Sequence, residues 1–189
     1  MEFIDRLLHH VTILIGIAVD DKGKRQKSQL FMLHEIPHFK LFSNSHFLAI
    51  CGVINQPFFG FDDESKKPDQ WGRSIWGVVG LGSFGPFEQK KLAADGKIIC
   101  TTRSHSSKAV NACIEAMQPD NVLRQGGAGN KVLRVIEGDA HAYVFASPGT
   151  KKWDTCAPEA ILVAMGGRLT GKFYSSVNYS DVFIQAFEQ

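Results

Sequence analysis

Ser147-Pro-Gly-Thr-Lys-Lys-Trp153-Asp154-Thr-Cys-Ala157-Pro158-Glu159, followed by the apolar run Ala160 to Met165, is the stretch whose reading decides the fold. Pro148 and Gly149 end whatever precedes them. The apolar run predicts a buried helix, with Asp154 where that helix begins. An acid there accepts free backbone N–H groups and faces the positive end of the helix dipole. Pro158 is expected in the first turn, where its missing N–H costs least. Two readings of Asp154 stay open. It caps the helix, with Trp153 packed beside it, or it ligates a metal at a helix N-terminus that also attracts phosphate.

Around that stretch lie 189 residues, a length that suits one domain or part of a two-layered one. The apolar fraction of 44% is enough to form a core. A net charge of +2 implies neither a nucleic-acid nor a membrane partner. Cys51, Cys100, Cys113 and Cys156 are scattered without CxxC pairing, so free thiols are expected rather than a zinc ribbon or a disulfide framework. The apolar run Val11 to Val19 is too short to span a membrane, and its flank does not resemble a signal-peptide cleavage site. A cytoplasmic monomer is the expectation.

Met1 to Leu8 reads as a short amphipathic lead-in. Val11 to Val19 is rich in β-branched residues and predicts a buried strand, closed by the turn signal Asp20-Asp-Lys-Gly23. Its partner is expected only at Cys51 to Pro57. Lys22 to Ile50, between them, is long for a loop in a compact domain. That segment holds Lys22, Lys24, Arg25 and Lys27, best read as a solvated turn, and His34, His38 and His46. Pro37 breaks any helix that would present His34 and His38 on one face, which argues against a zinc site. Phe58 to Gln70 reads as an exposed loop, and Ser74 to Leu81 as a strand with glycines where neighbours approach.

From Lys97 the pattern alternates. Strands are expected at Lys97 to Thr102, Val122-Leu123 and Ala142 to Ala146. A helix over Lys108 to Met117, capped by Ser106 or Ser107, and one that follows the glycine-rich turn Gly126 to Lys131 and runs to about Glu137 separate them. Gly166-Gly167 ends the helix of the opening stretch, and a further strand begins at Arg168. This order predicts an α/β layer. Three strand ends in it carry polar groups: Thr102-Arg-Ser-His105, the glycine turn ending in Lys131, and Asp154. Sites form where strands end and helices begin, and helix-start N–H groups hold phosphate oxygens. Together these ends point to an anionic, phosphate-bearing ligand.

Trp153-Asp154-Thr-Cys-Ala157, with Gly166-Gly167, resembles the Trp-Asp-x-x-Ala…Gly-Gly signature of the lithium-sensitive, magnesium-dependent phosphatases of the inositol monophosphatase superfamily. Thr101 to His105, Gly126 to Lys131 and Ala142 to Ser147 narrow the likeness to that family's 3′(2′),5′-bisphosphate nucleotidases, and Val11 to Ala18 and Gly52 to Pro57 agree with it. The resemblance covers 1–19 and 51–170. It implies a layered α/β/α/β/α sandwich, of which this chain keeps mainly the C-terminal α/β layer. It implies a small-molecule substrate such as adenosine 3′,5′-bisphosphate, whose 3′-phosphate leaves by attack of water near Mg²⁺. Asp154 then matches a metal-ligating aspartate, and Thr102, His105, Gly127 and Lys131 match nucleotide-binding positions.

The same resemblance places the family's Asp-Pro-x-Asp-Gly-Thr signature, with its catalytic threonine, just upstream of Glu2, so no catalytic residue is assigned within the chain. The expectation is a chain truncated at both ends, with little or no turnover alone. Its parts are expected to be a sheet remnant over 1–96 with an atypical insert at about 20–50, a nucleotide-binding α/β layer over 97–171, and an unrelated tail over 172–189. That tail includes the sequon at Asn178. A non-catalytic domain that binds AMP or phosphate, and a sibling inositol polyphosphate 1-phosphatase, are the alternatives.

Overall fold

The computed structural model describes residues 8, 10–20, 31–32, 47–92, 96–147, 150–171 and 182–185. The basic run at 22–27, His34, His38, His46, the Pro148-Gly149 turn, Asn178 and residues 1–7 of the lead-in lie outside the described residues.

Two five-stranded sheets carry the fold. The first has the order β2-β1-β3-β4-β5, with β1 Ile13–Asp20, β2 Phe31–Met32, β3 Phe47–Gln56, β4 Arg73–Val78 and β5 Gly82–Phe84, all neighbours antiparallel. Alternation shapes it: along β4, Arg73, Ile75 and Gly77 turn inward while Ser74 and Trp76 face out. The partner of β1 starts at Phe47 rather than Cys51, and Phe31–Met32 adds an edge strand. Residues 47–50 of the expected insert are therefore strand, paired with β1 through a register shift between Ile17 and Ala18. A bulge of this kind hides a strand from a period-two reading.

The second sheet has the order β7-β6-β8-β10-β9, with β6 Ile98–Thr102, β7 Asn121–Gln125, β8 Ala142–Phe145, β9 Arg168–Gly171 and β10 Val182–Gln185. β6 is parallel to both β7 and β8, as the strand–helix alternation from Lys97 predicts. The tail departs from expectation. Its segment Val182–Gln185 is a strand between β8 and β9, antiparallel to both. Four residues are too few to declare a strand by period. What makes them one is the pair of flanking strands that satisfy their backbone groups.

Helix α1 (Lys108–Met117) covers the outer face of this sheet, with Val110 and Ile114 buried against Ile99, Ala142 and Val144. Ser107 is its cap, its Oγ accepting from the Val110 N–H at 3.2 Å. Helices α2 (Ala128–Ile136) and α3 (Lys152–Ala164) lie between the sheets. One core joins the two sheets and the helix pair between them: Ile54 and Ile75 from the first sheet, Leu133 and Ile136 from α2, Ile161 and Leu162 from α3, and Cys100 and Tyr143 from the second sheet. Among the described residues the layers run sheet, helix pair, sheet, helix.

Helix α3 lies directly on the first sheet because glycines stand beneath it. A Cβ on Gly52 would fall on the Ala157 backbone, and one on Gly16 would lie 2.6 Å from the Cys156 Sγ. Pro158 is not in the first turn, as expected, but at the seventh position of the helix. Packing on both faces holds the helix through it, and Pro158 has no N–H to give the Asp154 carbonyl.

Burial pushes the Glu159 carboxyl on α3 up to about 7, above the ordinary 4.5. The folded chain thus keeps a proton there that the unfolded chain releases. Stability is full below about 4.5 and falls as pH rises to about 7. Glu159→Gln should match the parent at pH 4.5 and exceed it at pH 8 by on the order of 2 kcal/mol in urea unfolding. A difference independent of pH would refute this account.

Candidate functional site

The parallel strands β6, β7 and β8 end at one edge of the second sheet, so the segments that follow them meet there. They enclose a cavity of about 410 Å³, lined by Thr102, Ser104 and His105 after β6, Gly126, Gly127, Ala128 and Lys131 after β7, and Thr150, Asp154 and Thr155 after β8. The residues singled out from the sequence, Thr102, His105, Gly127, Lys131 and Asp154, all line this one cavity.

Thr102 is buried at the end of β6. Its Oγ1 accepts from the His105 N–H at 3.2 Å and so folds the loop back on the strand. His105 is exposed at the rim, with Nδ1 3.0 Å from the Ser104 hydroxyl. Gly127, at φ +70°, is the N-cap of α2 and offers no side-chain cap. The first N–H groups of α2 have no partner within the helix. The glycine turn therefore ends at Gly127, and Lys131 lies inside the first turn of the helix rather than at the end of the turn.

Lys131 is 6% exposed, and no ion pair or hydrogen bond of its ammonium exists among the described residues. Its Nζ sits 5.2 Å from the centre of the Tyr143 ring. Burial lowers its pKa below that of an ordinary lysine, an effect opposed by the charge of Asp154. Burial also pushes the Cys100 thiol up to about 12, so it stays neutral. A buried cation engaged in no ion pair, at an uncapped helix start, is a place for an anionic ligand.

Asp154 is the third residue of α3, not its cap. The helix starts earlier, at Lys152, and the Asp154 Oδ2 reaches back to accept from the Lys151 N–H at 3.0 Å. Asp154 is also the one acid among the described residues lining the cavity. No group of three or more His, Cys, Asp and Glu that could hold a metal comes together among the described residues. Mg²⁺ takes several oxygen ligands in a strict geometry, and Asp154 alone does not supply them.

Sequence reasoning passed over Tyr143, Phe145, Thr150 and Thr155 as site residues. Tyr143 and Phe145 share one face of β8 by period two, and a parallel strand ending among polar loops was the available signal. Thr155 carries no signal of its own.

The model of the inositol monophosphatase family matches residues 48–181, past the Thr170 at which the resemblance read from motifs stops. The chain is 52% identical over 170 residues to 3′(2′),5′-bisphosphate nucleotidase 1 of Rattus norvegicus, covering 89% of this chain and 46% of the relative. It is 30% identical over 138 residues to inositol polyphosphate 1-phosphatase of Homo sapiens, covering 64% and 34%. The chain thus spans about half the length, or less, of the curated relatives it matches. Among solved structures, CysQ from Bacteroides thetaiotaomicron superposes with a TM-score of 0.56 at 22% identity, over 75% of this chain and 59% of that one.

Gly127 tests the turn directly. Its φ is unfavourable to any side chain, and a Cβ there would meet the His10 carbonyl. Gly127→Ala should lower the stability of the chain by about 1–3 kcal/mol in urea unfolding. An unchanged midpoint would mean that the turn is not held in this conformation.

Proposed function

The chain belongs to the inositol monophosphatase family, and from that premise we propose that its cavity takes the phosphorylated nucleotide of a 3′(2′),5′-bisphosphate nucleotidase. The substrate in this reading is adenosine 3′,5′-bisphosphate. Water attacks the 3′-phosphorus, the bond to O3′ breaks, and AMP and inorganic phosphate result. The observation that carries the reading is Lys131, buried and in no ion pair, at the uncapped start of α2.

Each residue has a binding role in this reading. The Lys131 ammonium and the first N–H groups of α2 neutralise and grip phosphate oxygens. Gly127, lacking a side chain, lets the backbone come close to them. Thr102 and, at the rim, His105 hydrogen-bond the nucleotide. Tyr143 and Phe145 give the cavity an apolar wall. The metal in this reading is Mg²⁺, which stabilises charge on phosphoryl oxygens when bound. Asp154 is one carboxylate toward it and falls short of the set such an ion needs, so the steps assigned to this chain are those of binding and orientation.

Calorimetry with AMP tests this. The parent should bind, and Lys131→Ala should lose about tenfold or more in affinity, the size expected when a charge-assisted hydrogen bond is removed. Equal affinity in the two, or no binding in either, would overturn the reading. Phosphate release from adenosine 3′,5′-bisphosphate in Mg²⁺ then separates a hydrolase from a domain that only binds.

A further inference from the structure

A line of buried side chains runs behind the cavity and never reaches it. Gln56 at the end of β3 and Asn130 in α2 are each 2% exposed, and Arg73 at the start of β4 is 8% exposed. The Arg73 Nε donates to the Gln56 Oε1 at 2.7 Å. The Gln56 Nε2 donates to the Asn130 Oδ1 at 3.2 Å. The Asn130 Nδ2 donates to the Gly126 carbonyl at 3.2 Å and to the Gln125 Oε1 at 3.3 Å. Arg73 is itself held by the Glu137 carboxylate at the far end of α2, and Glu137 also takes Arg134 at 2.9 Å.

The direction of this line is set at one end. A guanidinium only donates, so Gln56 must turn its oxygen toward Arg73. Its amide nitrogen then faces Asn130, which must answer with oxygen. That leaves the Asn130 nitrogen for the Gly126 carbonyl. A carbonyl engaged this way faces the protein interior, because Asn130 is no part of the cavity lining. What the turn offers to the cavity is then N–H and not C=O. An anion requires that sorting, since one carbonyl oxygen facing a phosphate oxygen is repulsive at close range.

We propose that Asn130, oriented through Gln56 by Arg73, is the positioning residue of the Gly126-Gly127 turn, keeping its carbonyl off the ligand and its N–H groups on it. The inference rests on the reading of the cavity as an anion site. It concerns residues that touch no ligand and lie on the opposite sheet and in the helix between.

Gln56→Glu separates positioning from stability. Arg73 accepts a carboxylate at position 56 readily, since its Nη2 is buried without a partner in the parent. A carboxylate has no N–H for Asn130, however. Asn130 must then turn its nitrogen to that carboxylate and its oxygen to the Gly126 carbonyl. In the full chain the variant should therefore keep its unfolding midpoint and shift the ¹⁵N–¹H resonances of Gly126, Gly127 and Ala128 without ligand. It should also bind AMP about tenfold more weakly. Unmoved resonances in the turn, or AMP affinity equal to that of a parent that binds, would overturn the proposal. If the parent binds no AMP, the anion-site reading fails, and the ligand-free resonances still decide the relay: shifted supports it, unmoved overturns it. Asn130→Ala, which removes the donor to Gly126, gives the same two readouts if Gln56→Glu fails to fold.

Discussion

Everything in this chain depends on how close α3 lies to the first sheet. Gly16 and Gly52 have no side chains to hold it off, and the Ala157 backbone and the Cys156 side chain occupy the space that Cβ atoms would take. Burial at that contact is complete, with Ala157 and Ala160 at 1% and 0% exposed. A helix seated on bare backbone cannot slide without losing close-packed contacts on both faces. Its first turn is therefore fixed in space, and that turn carries Asp154 to the edge of the other sheet. The site is built by the second sheet but aimed by the first.

The cavity concentrates charge in a place that packing would otherwise leave neutral. Lys131 is buried and in no ion pair, and Asp154 commits a carboxylate oxygen to the start of its own helix. Buried polar groups are costly unless paired, so an arrangement that leaves one cation unpaired points to a ligand rather than to stability. The polar line behind the cavity is of another kind. Gln56, Asn130, Arg73 and Glu137 pair with one another almost fully, leaving the Arg73 Nη2 over. Such a network ties α2 to the first sheet at both ends and specifies one arrangement among several that apolar packing alone would accept.

Local grammar made much of this legible. The β-branched run at Val11 to Val19, the serine before Lys108, the paired glycines at 126 and at 166 and the alternation after Lys97 each follow from short-range rules, and each became the expected element. The candidate site residues were legible because they stand at strand ends, and parallel strands bring such ends together. The misses have a common cause. Phe31–Met32, Gly82–Phe84 and Val182–Gln185 are too short to show a period, and they are strands because a neighbour takes their backbone groups. Pro158 looked like a first-turn residue because an isolated helix could not carry it further in. Asn130 looked like part of a glycine turn and nothing more.

Residue type and spacing along the chain were enough to establish the α/β order of the second half, the family likeness and the polar strand-end groups, Thr102, His105, Gly127, Lys131 and Asp154, that line the cavity. Long-range packing settled that Val182–Gln185 pairs between β8 and β9 and that α3 runs through its proline. Packing also brought a glutamine and an arginine from one sheet into a hydrogen-bonded line with an asparagine behind the glycine turn of the other. These are contacts between residues 17 to 74 positions apart. No local preference encodes such contacts; they exist because the shared apolar core brings the two sheets to a set distance and buries polar groups that must then find one another.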